Sequence, residues 1–193
     1  MSPVSNRERP TGMKLTYDDF VLLPDDGKRH ELIDGEHYVT ASPNTKHQQV
    51  SMDLTFLIRS WLEDHPIGRL FAAPYDIVLS HFDVVEPDLI YLTNERADQI
   101  LTSLHLRGTP ELVVEIGSPS TRQRDETIKR RLYERTGVSE YWFVDPELDV
   151  VRVYRRDGER FARPVELSRE TDDILTTPLL AGLALPLGRI FRE

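Results

Sequence analysis

The chain has 193 residues, 24 Lys plus Arg against 33 Asp plus Glu, a net charge of −9 and no cysteine. That length fits one domain able to bury about two-thirds of its unfolded surface, and 39% apolar with 30% charged residues describes a soluble globular protein. Without cysteine there are no disulfides, thiolate metal sites, Fe–S clusters or thiol nucleophiles, and the longest apolar stretch, Leu179 to Leu187, is broken by Gly182 and Pro186 and falls far short of the roughly 18 residues of a membrane span.

Residues 1–12 are polar, with Arg7, Glu8, Arg9 and two prolines. They read as a flexible leader before a single domain over 13–193, and nothing in them resembles a signal peptide. The expected compartment is the cytoplasm. Thr16 to Leu23 reads as a short helix capped by Thr16, with Asp18 and Asp19 in its first turn, and Pro24 stops it. Asp34-Gly35 between the extended runs His30–Ile33 and Glu36–Ala41 predicts a hairpin. Pro43 to Asp64 carries the clearest helical pattern, with Ser42 as N-cap and Pro43 in the first turn. Its apolar stripe is Val50, Leu54, Leu57, Ile58 and Trp61.

Extended runs follow at Arg69–Ala73, Tyr75–Ser80 and Val84–Leu92, then a weaker helix at Asn94–Ser103. Glu111–Ile116 has the pattern of a strand covered on both faces. A basic helix opens at Ser118 and stops near Gly137. Tyr141–Val144 reads as a buried strand, and Val150–Arg155 with Arg160–Val165 as a hairpin around Asp157-Gly158. Short apolar runs from Ile174 to Phe191 form an edge strand and a closing segment. Helices interleaved with such strands predict an α/β (α+β) domain around a central mixed sheet, with an N-terminal hairpin and a C-terminal β extension.

Several residues stand out chemically. Glu115 interrupts an apolar strand, where a carboxylate is costly unless paired or bound to a cation; an arginine salt bridge and a metal ion are both open. Asp88 follows Pro87 at the start of another apolar strand, as a turn residue or as the second carboxylate of a divalent-cation site. Glu31 is a surface strand residue or a third acid. His47, in the first turn of the long helix, is either a satisfied core or capping group or a proton carrier or phosphate contact. Ser118–Thr136 holds six basic residues against three acidic ones, which suits a solvated face. On it Arg122, Asp125, Lys129 and Tyr133 share one side, and Ile128 and Leu132 mark the adjoining buried edge. Lys129 can then reach over the sheet towards Glu115, placed to stabilise charge on a phosphate.

Taken together, Arg29–Glu36, His47-Gln48, Glu86-Pro87-Asp88-Leu89, Pro110–Thr121, Asp125, Lys129, Tyr133 and Gly137–Pro146 resemble, in order and spacing, the "putative restriction endonuclease" family of unknown function within the PD-(D/E)XK nuclease superfamily. The resemblance implies a restriction-endonuclease-like core and a Mg²⁺-dependent endonuclease acting on DNA, with Mn²⁺ as a possible substitute metal. Asp88 and Glu115 would be metal ligands and Glu31 an extra acid completing the shell or orienting water. Lys129 would take the place of the lysine that the superfamily has two residues after the second acid, where this chain has Gly117. His47 would assist proton transfer or grip a phosphate, and Arg122, Arg124 and Arg130 would contact the DNA backbone. A homodimer is expected, built on Leu179–Leu187 or the edge near Val150–Tyr154. The rivals are a catalytically inactive nuclease fold kept as a binding or regulatory module, which Gly117 and the charge of −9 favour, and an enzyme acting on small phosphate esters.

Overall fold

The computed structural model describes residues 14–40, 42–119 and 121–192; the expected leader, 1–12, lies outside them. Thr16 caps α1 (Tyr17–Phe20) through a capping box with Asp19. Strands β1 (Arg29–Ile33) and β2 (Glu36–Thr40) pair antiparallel across Asp34-Gly35, whose φ values of 51° and 76° are those a tight two-residue hairpin turn requires. Helix α2 spans Thr45–Asp64, and its N-cap is Asn44, which accepts from the His47 amide, rather than the expected Ser42. A short polar side chain offering its oxygen to the first turn takes the cap from Ser42, two residues earlier, and leaves Pro43 outside the helix.

The chain continues through β3 (Gly68–Ala72), β4 (Ile77–Ser80), β5 (Asp83–Val85), β6 (Leu89–Thr93), α3 (Asn94–Ile100), β7 (Leu106–Arg107) and β8 (Leu112–Ile116). Val84–Leu92 is thus two strands divided at Glu86-Pro87-Asp88, since proline cannot donate to a ladder. Next come α4 (Arg122–Arg124), a π-helical turn (Asp125–Lys129), α5 (Arg130–Thr136), β9 (Glu140–Asp145), β10 (Val150–Asp157), β11 (Arg160–Phe161) and β12 (Val165–Ser168). The end is a ribbon of β13 (Ile174–Leu175) and β14 (Leu185–Pro186), then α6 (Leu187–Ile190).

The expected central mixed sheet is present, joined by a second sheet and by the two-stranded β13–β14 ribbon. A seven-stranded mixed sheet runs β11-β10-β9-β8-β6-β3, with β12 also on β10 and β8–β9 parallel. A five-stranded sheet, β2-β1-β5-β4-β7, takes in the N-terminal hairpin. Leu112, Val114 and Ile116 of β8 pack in one core with Val50, Leu54 and Ile58 of α2; Val113 packs in a second with Leu132 and Tyr133 of α5. The surfaces expected to dimerise are spent inside the fold: Leu180, Leu183, Leu185 and Leu187 are buried, and β10 has strands on both sides. Among the described residues no helix is long and apolar enough to cross a membrane.

Candidate active site

β6 and β8 run antiparallel with Leu89 opposite Val114, so extending the register by one residue sets Asp88 opposite Glu115. Pro87 ends the ladder there and frees Asp88 to turn its carboxylate inward. Asp88 Oδ2 accepts from the Ile116 amide at 2.8 Å and from His47 Nε2 at 3.2 Å. Oδ1 pairs with Arg29 Nη1 at 3.0 Å. Burial pushes the Asp88 carboxyl up, but the His47 hydrogen bond and charge, the Ile116 amide and Arg29 outweigh it and hold the group below the usual carboxylate range.

Glu115 differs. Its Oε1 accepts from Lys129 Nζ at 2.9 Å and from the Tyr133 hydroxyl at 2.5 Å. Burial dominates, Lys129 only partly opposes it, and Asp125, Glu31 and Asp88 add repulsion, so the carboxyl is pushed up to about 8. Lys129 is the centre of the cluster. Its ammonium lies 2.6 Å from Glu31 Oε1, 2.9 Å from Glu115 and 3.9 Å from Asp125 Oδ1, with only 2% of the residue exposed. Burial works against its charge, yet the three carboxylates hold its pKa above the ordinary lysine value.

The π-turn is what delivers that lysine. Arg130 N–H reaches back five residues to the Asp125 carbonyl, which also accepts from the Tyr141 hydroxyl at 3.1 Å. The extra residue in the turn rotates the register. Asp125 and Lys129 are buried while Ile128, expected on the buried edge, is 37% exposed. Gly117 shows why the cation does not come from β8: a Cβ there would lie 2.7 Å from Phe143 Cζ.

Of the predicted residues, Glu31, His47, Asp88, Glu115, Lys129 and Arg124 line one pocket. Arg122 and Arg130 do not. Arg122 pairs with Asp145 and Glu126, and Arg130 bonds the Glu126 carbonyl and lies over the Tyr154 ring. Sequence reasoning missed Arg29 and Glu86, joined at 2.8 Å in the pocket wall. Arg29 and Glu86 each stand two residues before a singled-out acid, Glu31 and Asp88, a spacing that on a strand shares a face.

The pocket sets the carboxylates Glu31, Glu86, Asp88, Glu115 and Asp125 against the cations Arg29, Arg124 and Lys129. These clustered carboxyl oxygens, with Glu31 Oε2 and Asp125 Oδ1 lacking any hydrogen bond, suit a hard divalent cation, which would displace the proton that Glu115 holds. The ligand number is small. Among the described residues no three His, Asp or Glu side chains are arranged to hold a metal ion, so Asp88, Glu115 and Glu31 do not form one ligand cluster. Glu31 Oε1 is engaged by Lys129 and the Glu86 amide, and its Oε2 faces Arg124 at 3.4 Å. The Asp88–Glu115 pair alone meets the one or two carboxylates that Mg²⁺ needs when water and phosphate complete its shell.

The fold is similar to that of a crystal structure from Anabaena variabilis ATCC 29413 described as "a putative nuclease belonging to DUF820". It is 22% identical, with a TM-score of 0.78 over 92% of this chain and 97% of that one. No curated protein matches. Residues 17–188 match the model of the family described as "Uma2: Putative restriction endonuclease", and the chain therefore belongs to that family.

Proposed function

We propose that this chain is a Mg²⁺-dependent endonuclease that hydrolyses DNA phosphodiester bonds. The observation that carries this reading is the buried Lys129 ammonium, bonded to Glu31 and Glu115 in the pocket that also holds Asp88. Asp88 and Glu115 would hold Mg²⁺, or Mn²⁺ in its place, which when bound activates a water and neutralises a non-bridging phosphate oxygen.

The chain's own groups do the rest. Asp88 stays ionised because His47, the Ile116 amide and Arg29 support its charge against burial, and His47 thereby orients it. Lys129 stays protonated at any working pH, so it acts as a fixed charge beside the phosphate and not as a base. Glu31 aims that charge and is a positioning residue. Arg124, fixed by the Thr40 hydroxyl at 2.6 Å and lying over the Tyr38 ring, is the arginine of the expected three that suits a backbone phosphate at the pocket.

The test is incubation of purified protein with plasmid and Mg²⁺. Nicking that vanishes in Asp88→Ala and in Glu115→Ala supports the reading, and nicking unchanged in both sinks it. A second reading, an inactive nuclease fold serving as a binding module, is favoured by Arg29 seated on Asp88 and by the net charge of −9. Calorimetric titration with Mn²⁺ separates the two: the module shows no site dependent on Asp88 and Glu115.

A further inference from the structure

A second opening adjoins the catalytic pocket. It has a volume of about 450 Å³ and shares Arg29, Thr40, Pro43 and Glu86 with that pocket, so the two adjoin across these side chains. The turn before β1 supplies Gly27 and Lys28, the segment before α2 supplies Pro43, and the loop after β3 supplies Pro74. The inner pocket is far smaller, about 20 Å³, room for a water-sized group. Asp88 and Glu115 at its wall are each 4% exposed. A phosphate oxygen fits there, but a sugar and base do not. They must stay outside, in the larger groove.

We propose that this groove is the subsite for one unpaired deoxynucleotide next to the scissile phosphate, so that the substrate is DNA with a single-stranded segment rather than an intact duplex. The proposal rests on the nuclease reading for which phosphate is cut; binding in the groove does not depend on cleavage. Its volume is that of a small-molecule ligand pocket. The Pro43 and Pro74 rings offer apolar faces to a base, and Lys28 and Arg29 offer charge to the backbone beside the Asp25 and Glu86 carboxyls of the same lining, the latter pushed up to about 7 by burial. Lys28 is exposed and among the described residues pairs with Asp26 at the surface, a weak tie that a phosphate can replace. Arg29 borders both cavities and can exchange Asp88 for the phosphate between them.

The experiment is fluorescence anisotropy on the full chain in EDTA, where no metal-dependent cleavage occurs. It compares a labelled single-stranded oligodeoxynucleotide with the same strand in a blunt duplex. Single-strand binding is expected to be about tenfold tighter, and to weaken about tenfold in Lys28→Glu and in Ser42→Trp, which fills the groove from an exposed position. Equal affinity for both DNAs, no binding to either, or no effect of Ser42→Trp in a variant with unchanged circular dichroism would overturn the proposal. The same proteins with Mg²⁺ keep the two readings apart. Plasmid nicking by wild type alongside equal affinities removes the subsite and leaves the nuclease. Groove-dependent single-strand binding without cleavage of any DNA leaves the subsite and removes the nuclease.

Discussion

The two faces of β8 are built on opposite principles. Leu112, Val114 and Ile116 meet the apolar side of α2 in a dry core, where each side chain contributes through area removed from water. On the other face Glu115 meets Lys129 and Tyr133, where burial is unfavourable for each charge and tolerable only because the partners arrive together. The dry face tolerates loss piecemeal. The polar face is a single unit, and its clustered carboxyl groups are what a divalent cation would bind.

The contrast breaks most sharply on activity. Asp88→Ala and Glu115→Ala are expected to reduce plasmid nicking by about 10³-fold or more. Leu54→Ala, on the dry side, should cost about 2–5 kcal/mol in denaturant unfolding yet leave the specific activity of the folded fraction unchanged. Lys129→Met should destabilise by about 3–5 kcal/mol, because Glu31 and Asp125 lose their shared counter-charge and Glu115 loses a hydrogen-bond partner. Adding Glu31→Gln to it should recover part of that loss, where two independent sites would add.

Smaller effects sharpen the same point. Gly117→Ala should cost about 1–3 kcal/mol through its clash with Phe143. Glu115 keeps its proton up to about pH 8 in the folded chain but releases it at about 4.3 when unfolded. The folded state therefore binds more protons in that window, and metal-free stability falls as pH rises through it. Melting temperatures between pH 5 and 8 should drop in wild type and drop less steeply in Glu115→Gln, where Glu86, pushed up to about 7 by burial, still contributes. Ile128→Lys, on the exposed side of the π-turn, should change stability by no more than about 0.5 kcal/mol in the same assay.

Much of this was legible in the sequence. The apolar stripe of α2, the Asp34-Gly35 hairpin and the covered β8 follow from periodicity and turn chemistry, and Glu115 and Asp88 were conspicuous as acids among aliphatic neighbours. Lys129 was placed correctly on a wrong premise, since an ideal helix would also have buried Ile128 and turned Arg122 towards the pocket. A π-turn has no periodicity of its own to betray it. Arg29 and Glu86 escaped notice because charged residues at strand ends usually face water, and only the approach of the two sheets turns them inward.

The most direct test is a crystal grown with Mn²⁺ and measured for anomalous scattering. The account predicts a single peak within ligand distance of both Asp88 and Glu115, with Arg29 withdrawn from Asp88. Well-ordered side chains with no peak there, and the Arg29–Asp88 pair intact at saturating Mn²⁺, would contradict it.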